Sequence, residues 1–75
     1  MVRAVVLRED TERVYQFILS YCAERGLPPT QREMAEGCFM ARSSVIRHLD
    51  MLDAHGLIVR ELGAARGVLL PKNPE

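Results

Sequence analysis

The sequence predicts a mostly α domain with a small β-hairpin, three helices followed by two short strands. Three observations lead there. Apolar residues recur at helical spacing in three consecutive segments. Capping or stop residues bound each segment. After Gly56 the texture changes to β-rich runs separated by a glycine-bracketed loop.

The first helix is expected from about Glu9 to Arg25. Val14, Phe17, Ile18, Tyr21 and Cys22 fall at i, i+3, i+4, i+7 and i+8, the stripe of a helix packed on one side. Glu9, Asp10 and Glu12 in the first turn and Arg25 in the last both suit the helix dipole. Gly26 supplies the left-handed stop, and Pro28-Pro29 prevents continuation. Thr30-Gln31-Arg32-Glu33 then reads as a capping box. The Thr30 hydroxyl accepts from the amide of Glu33, whose carboxylate reaches back to the amide of Thr30. The second helix is short, with Met34, Ala35 and Cys38 inward and Gly37 weakening it. The third runs from about Arg42 to His55. Val45, Leu49 and Leu52 face the core, with His48 on the same side, and Gly56 ends it. Its outward face carries Arg42, Ser43, Ile46, Arg47 and Asp50.

Leu57 to Leu62 and Val68 to Leu70 are the two strands, joined by the loop Gly63-Ala64-Ala65-Arg66-Gly67. An isolated hairpin is marginal in water, so this one must pack on the helices. A further short strand is possible at Ala4 to Leu7. Residues 1–70 are expected to form one domain. Residues 71–75, Pro-Lys-Asn-Pro-Glu, form a tail or the start of a linker.

Composition narrows the function. The 75 residues are 48% hydrophobic and 27% charged, which suits one globular domain with a small core. No apolar run approaches the ~18 residues that a membrane span needs. The apolar start is too short for a signal peptide, so a cytoplasmic protein without membrane contact is expected. Cys22 and Cys38 lack partners at metal-ligand spacing and read as reduced, buried small hydrophobes. His48 is expected to be partly buried and hydrogen-bonded, and His55 to sit at the negative end of the third helix. Ser43 and Ser44 have no base and orienting group to make them nucleophiles. No enzyme, metal or cofactor is expected.

The second helix, a turn of three or four residues and the third helix have the spacing of a helix-turn-helix. With the hairpin as a wing, the fold class is a winged helix-turn-helix. In that arrangement the second helix of the motif lies in the major groove of double-stranded DNA. Arg42, Ser43, Ser44, Ile46 and Arg47 then occupy its reading end. Arg bonds guanine bidentately, Ser bonds any base, and Ile touches a thymine methyl. For Arg47 the competing roles are a contact to phosphate alone or a surface pair with Asp50 at i+3. Arg66 projects from the wing loop toward phosphate, and Arg60 and Arg32 are candidate further phosphate contacts. Ten basic and ten acidic residues cancel, so DNA binding requires these arginines to gather on one face. The alternative is a winged-helix module for protein–protein contact, in which the third helix and wing bind no nucleic acid. Tyr15 and Leu19 either cover the hairpin or, with Val5 and Val6, form a homodimer contact.

Several segments resemble the DNA-binding domain of the LexA repressor family. They are Gly26-Leu27-Pro28-Pro29-Thr30-Gln31-Arg32-Glu33-Met34-Ala35, His48-Leu49 with Leu52, Gly56-Leu57-Ile58, and Gly63-Ala64-Ala65-Arg66-Gly67-Val68. The likeness covers about Leu7 to Leu70. It implies a winged fold and sequence-specific DNA binding by a repressor-like transcriptional regulator, with base-reading positions on Ser43, Ser44, Ile46 and Arg47. Those four side chains differ from the family's pattern, so the family's operator does not transfer. The turn is one residue shorter. Phe39 stands where Gly is usual, and Ala41 where a capping Ser is usual. The family's second domain, with its Ser-Lys self-cleaving dyad, has no counterpart in these residues.

Overall fold

The computed structural model of the chain describes residues 8–60 and 67–70. The element order is α1 (Glu9–Arg25), α2 (Gln31–Cys38), α3 (Arg42–Ala54), β1 (Val59–Arg60) and β2 (Val68–Leu69). The possible strand at Ala4 to Leu7, residues 61–66 of the wing with Arg66, and the tail 71–75 lie outside the described residues.

The helix ends follow local chemistry. Gly26 stops α1 at φ 75°, its N–H donating to the Cys22 carbonyl at 2.8 Å. Thr30 and Glu33 form the expected reciprocal capping box at the start of α2. α3 ends one residue earlier than expected, with His55 as its cap and Gly56 at φ 77°. Gly56 N–H donates to the Asp53 carbonyl at 2.9 Å and Leu57 N–H to the Leu52 carbonyl at 3.0 Å. These are the paired bonds of a Schellman motif. They turn the chain sharply, so that Leu57 packs on the core and Ile58 enters it.

The other two ends are less favourable. Ala41 leaves the start of α3 without a side-chain cap. α2 is closed by Phe39 at φ 57°, the one non-glycine residue with positive φ among those described. Holding a side chain in that region costs on the order of 1–2 kcal/mol. The strain sets the turn, because Met40 N–H then reaches the Ala35 carbonyl at 3.0 Å and residues 39–41 suffice to join α2 to α3.

The core is Val14 and Ile18 from α1, Met34 and Cys38 from α2, Val45, Leu49 and Leu52 from α3, and Ile58 and Val68 from the hairpin. Each large apolar side chain so buried contributes about 1.5–3 kcal/mol. The hairpin pairs antiparallel, Val59 with Leu69 and Arg60 with Val68. Within the described residues the paired strands are shorter than expected. Ile58 and Val68 point inward while Val59 and Leu69 stay exposed, so the hairpin is held by one face.

Two core features differ from the expected stripe of α1. Phe17, Tyr21 and Cys22 are only half-buried at its margin, whereas Thr11 is buried. Thr11 Oγ1 and His48 Nδ1 share a hydrogen bond of 2.8 Å that ties α1 to α3. The half-buried, bonded state expected of His48 is thereby met.

Candidate nucleic-acid interface

The reading end of α3 is built by the elements behind it. Val45, Leu49 and Leu52 fix the helix rotation by burial, and the opposite stripe is left to solvent. That stripe places Arg42, Ser43, Ile46 and Arg47 on one exposed face, and Ile46 is 37% exposed despite being apolar. Ser44 is half-buried at the edge of the stripe. α3 has no acidic residue in its first turn and no side-chain cap. Its first amides and the positive end of its dipole therefore stay available to an anion.

The arginines differ in what holds them. Arg47 has no hydrogen-bond or ion-pair partner among the described residues. Its competing partner Asp50 is instead engaged by Arg60 Nη1. Arg60 is the more enclosed of that pair, its side chain 14% exposed against 67% for Asp50. It thus works as a strut between β1 and α3 and brings its own counter-charge. Arg32 is paired with Glu36 across one turn of α2, both largely exposed. Such a pair is weak and is readily exchanged for another anion. Arg42 Nη2 donates to Gln31 Oε1 at 3.4 Å, which links the amino-terminal ends of α2 and α3. Among the described arginines, the structure thus brings Arg42 and Arg47 together without carboxylates and gives Arg32 and Arg60 one each.

Zero net charge conceals an uneven distribution. Glu9, Asp10 and Glu12 crowd the first turn of α1, while the start of α3 has none. Sequence reasoning missed Arg13, whose guanidinium binds both the Asp10 carboxylate and the carbonyl of Cys38 at the end of α2. No local motif announces a contact that spans 25 positions. Cys22 and Cys38 are free, and burial pushes both thiols up from their usual range, with the Arg13 charge opposing the shift at Cys38. Among the described residues, no cluster of His, Cys, Asp and Glu is placed to hold a metal ion, and no helix is long and apolar enough to cross a membrane.

Residues 6–67 match the family model described as the LexA DNA binding domain. The chain belongs to the LexA DNA-binding domain family. Its fold, three helices and an antiparallel hairpin, is the winged helix-turn-helix of that family. Similar proteins include the LexA repressor of Oleidesulfovibrio alaskensis, 36% identical over 58 residues, which are 77% of this chain and 28% of that protein. LexA repressor 1 of Geobacter sulfurreducens is 37% identical over 60 residues, 79% of this chain and 30% of that protein. The LexA repressor of Desulfatibacillum aliphaticivorans is 35% identical over 69 residues, 91% of this chain and 34% of that protein. The chain spans about a third of the length of these relatives. The likeness therefore concerns the LexA DNA binding domain and the geometry described above.

Proposed function

We propose that the chain is a sequence-specific reader of double-stranded DNA that acts as a repressor-like transcriptional regulator. The observation that carries this is the exposed stripe of α3, in which Ser43, Ile46 and Arg47 project without partners from a helix whose amino-terminal turn holds no carboxylate. α3 lies in the major groove. Arg47 bonds a guanine, Ser43 and Ser44 bond base edges, and Ile46 meets a thymine methyl. Arg42 sits at the groove edge, and Arg66 on the wing contacts phosphate. Arg32 makes a further phosphate contact after exchanging Glu36 for the backbone. Arg60 orients the wing through Asp50 and lends phosphate contact only in part.

A single module of this size binds weakly. Pairing of two chains about a two-fold axis would set two α3 helices about one turn of DNA apart. Tyr15 packs against the core and Leu19 is half-buried, so the surface they offer a homodimer is smaller than the sequence suggests. Val5 and Val6 lie outside the described residues. In this reading residues 1–70 are the DNA-binding unit and 71–75 lead away from it.

The salt dependence of duplex binding tests the proposal. Arg32, Arg42 and Arg66 are the phosphate contacts of this reading, which gives about three neutralised phosphates per module and a log–log slope near −3. A salt-independent affinity, or no binding at low salt, would return the module to the protein–protein class.

A further inference from the structure

Phe39 is 89% exposed and also sits in the left-handed region at φ 57°. Glycine or asparagine in its place would remove both the strain and the exposed phenyl ring. The position thus keeps a large apolar group against two penalties, and among the described residues nothing covers it.

Phe39 forms one rim of an open groove of about 720 Å³ between α1 and the end of α2. The Phe17 ring lies over Gly37 within it, and Glu9 and Glu12 line the α1 side. The cation among its lining residues, Arg13, is already engaged by Asp10 and by the Cys38 carbonyl. The groove is therefore aromatic and anionic. DNA phosphates would meet Glu9 and Glu12, and so would the same carboxylates of a second copy facing it. An occupant must bring positive charge together with apolar surface. No residue of α3 lines the groove, so occupation leaves the reading stripe open.

The geometry points to a docking groove for a protein segment bearing an arginine or lysine next to a large apolar side chain. The cation is held by Glu9 and Glu12. The apolar side chain lies against Phe39 and the edge of Phe17, and an arginine there gains from the aromatic face as well. The inference is independent of DNA reading, though it allows a regulator on its operator to hold a second protein.

The test is selection of displayed random heptapeptides against the 75-residue chain, followed by nitrogen-15 NMR titration with the best synthetic heptapeptide. The expected peptides place Arg or Lys within two positions of Leu, Ile, Met or Phe, and shift the amides of Glu12, Gly37 and Phe39. Phe39→Asn should weaken binding at least tenfold while the fold and any DNA affinity persist, because Asn tolerates the left-handed conformation. Glu9→Gln with Glu12→Gln should weaken it severalfold at low salt, and Arg47→Ala should leave it unchanged. Neutral or acidic winners, shifts that map to α3, or no enrichment would overturn the assignment. So would concentration-dependent sedimentation of the free chain that vanishes in Phe39→Asn, since it gives the groove to a second copy.

Discussion

Gly37→Ala is a substitution for which helix propensity and packing predict opposite signs. Alanine in place of a helix-interior glycine ordinarily stabilises by about 0.8–1.0 kcal/mol. A Cβ at Gly37, however, would lie 2.3 Å from Phe17 Cε1, 2.6 Å from Cζ and 3.0 Å from Cδ1. Ordinary carbon contacts begin near ~3.5 Å, so the ring edge must retreat by roughly 1 Å. The ring is not free to do so without loss, because it packs tilted on Tyr21 with centroids 5.9 Å apart. Overpacking of this kind costs typically about 1–3 kcal/mol. The clash outweighs the propensity gain, and Gly37→Ala should destabilise by roughly 1 kcal/mol, a fall in Tm of about 4–8 °C. In a Phe17→Ala background the obstacle is gone, and the same change should stabilise by about 0.8–1.0 kcal/mol. Urea unfolding followed by circular dichroism measures both, and the cycle should show a coupling of about 2 kcal/mol. A stabilising Gly37→Ala of equal size in both backgrounds would refute the packing of Phe17 over α2.

Two further outcomes follow from the interface. Ala41→Ser should add the missing cap to α3, whose preceding residue already has the extended conformation (φ −71°, ψ 153°), and stabilise by about 1 kcal/mol in thermal unfolding. An unchanged Tm would mean that the first amides of α3 are satisfied in another way. Arg66→Ala should weaken binding by a similar factor on every duplex, because a phosphate contact carries little base information. A loss confined to substitutions at one base pair would make the wing a reader of sequence instead.

The fold was largely legible because its signals are local. Gly26, the Thr30–Glu33 box and Gly56 each act within a few residues and appear in the structure as expected. The apolar stripes of α2 and α3 were equally readable, since Met34, Cys38, Val45, Leu49 and Leu52 are all buried. What stayed hidden depends on distant partners. Thr11 is a polar residue in a first turn, and only the approach of His48, 37 positions away, makes it part of the core. Gly37 reads as a weak point of α2 until the Phe17 ring is seen to need its missing side chain. Among the candidate interface residues, periodicity alone found Ser43, Ile46 and Arg47. It could not reveal that Arg60 comes with Asp50, because charge pairing across elements leaves no spacing in the sequence. The Arg32–Glu36 pair within α2, by contrast, lies at the i,i+4 spacing that a sequence does show.

The central claim, that α3 reads bases, is tested most directly by selecting bound sequences from random duplexes with the wild-type chain and with Arg47→Ala. Arg47 lies opposite the buried stripe and loses no core contact on truncation, so both proteins should unfold at nearly the same temperature. The wild type should enrich a defined motif, and the variant should retain it except at one base pair of each half-site. There the preference for guanine, worth about 1–3 kcal/mol for a bidentate contact, should disappear. No enriched motif with the wild type, or an identical motif from both proteins at uniformly lower affinity, would contradict the placement of Arg47 against the bases.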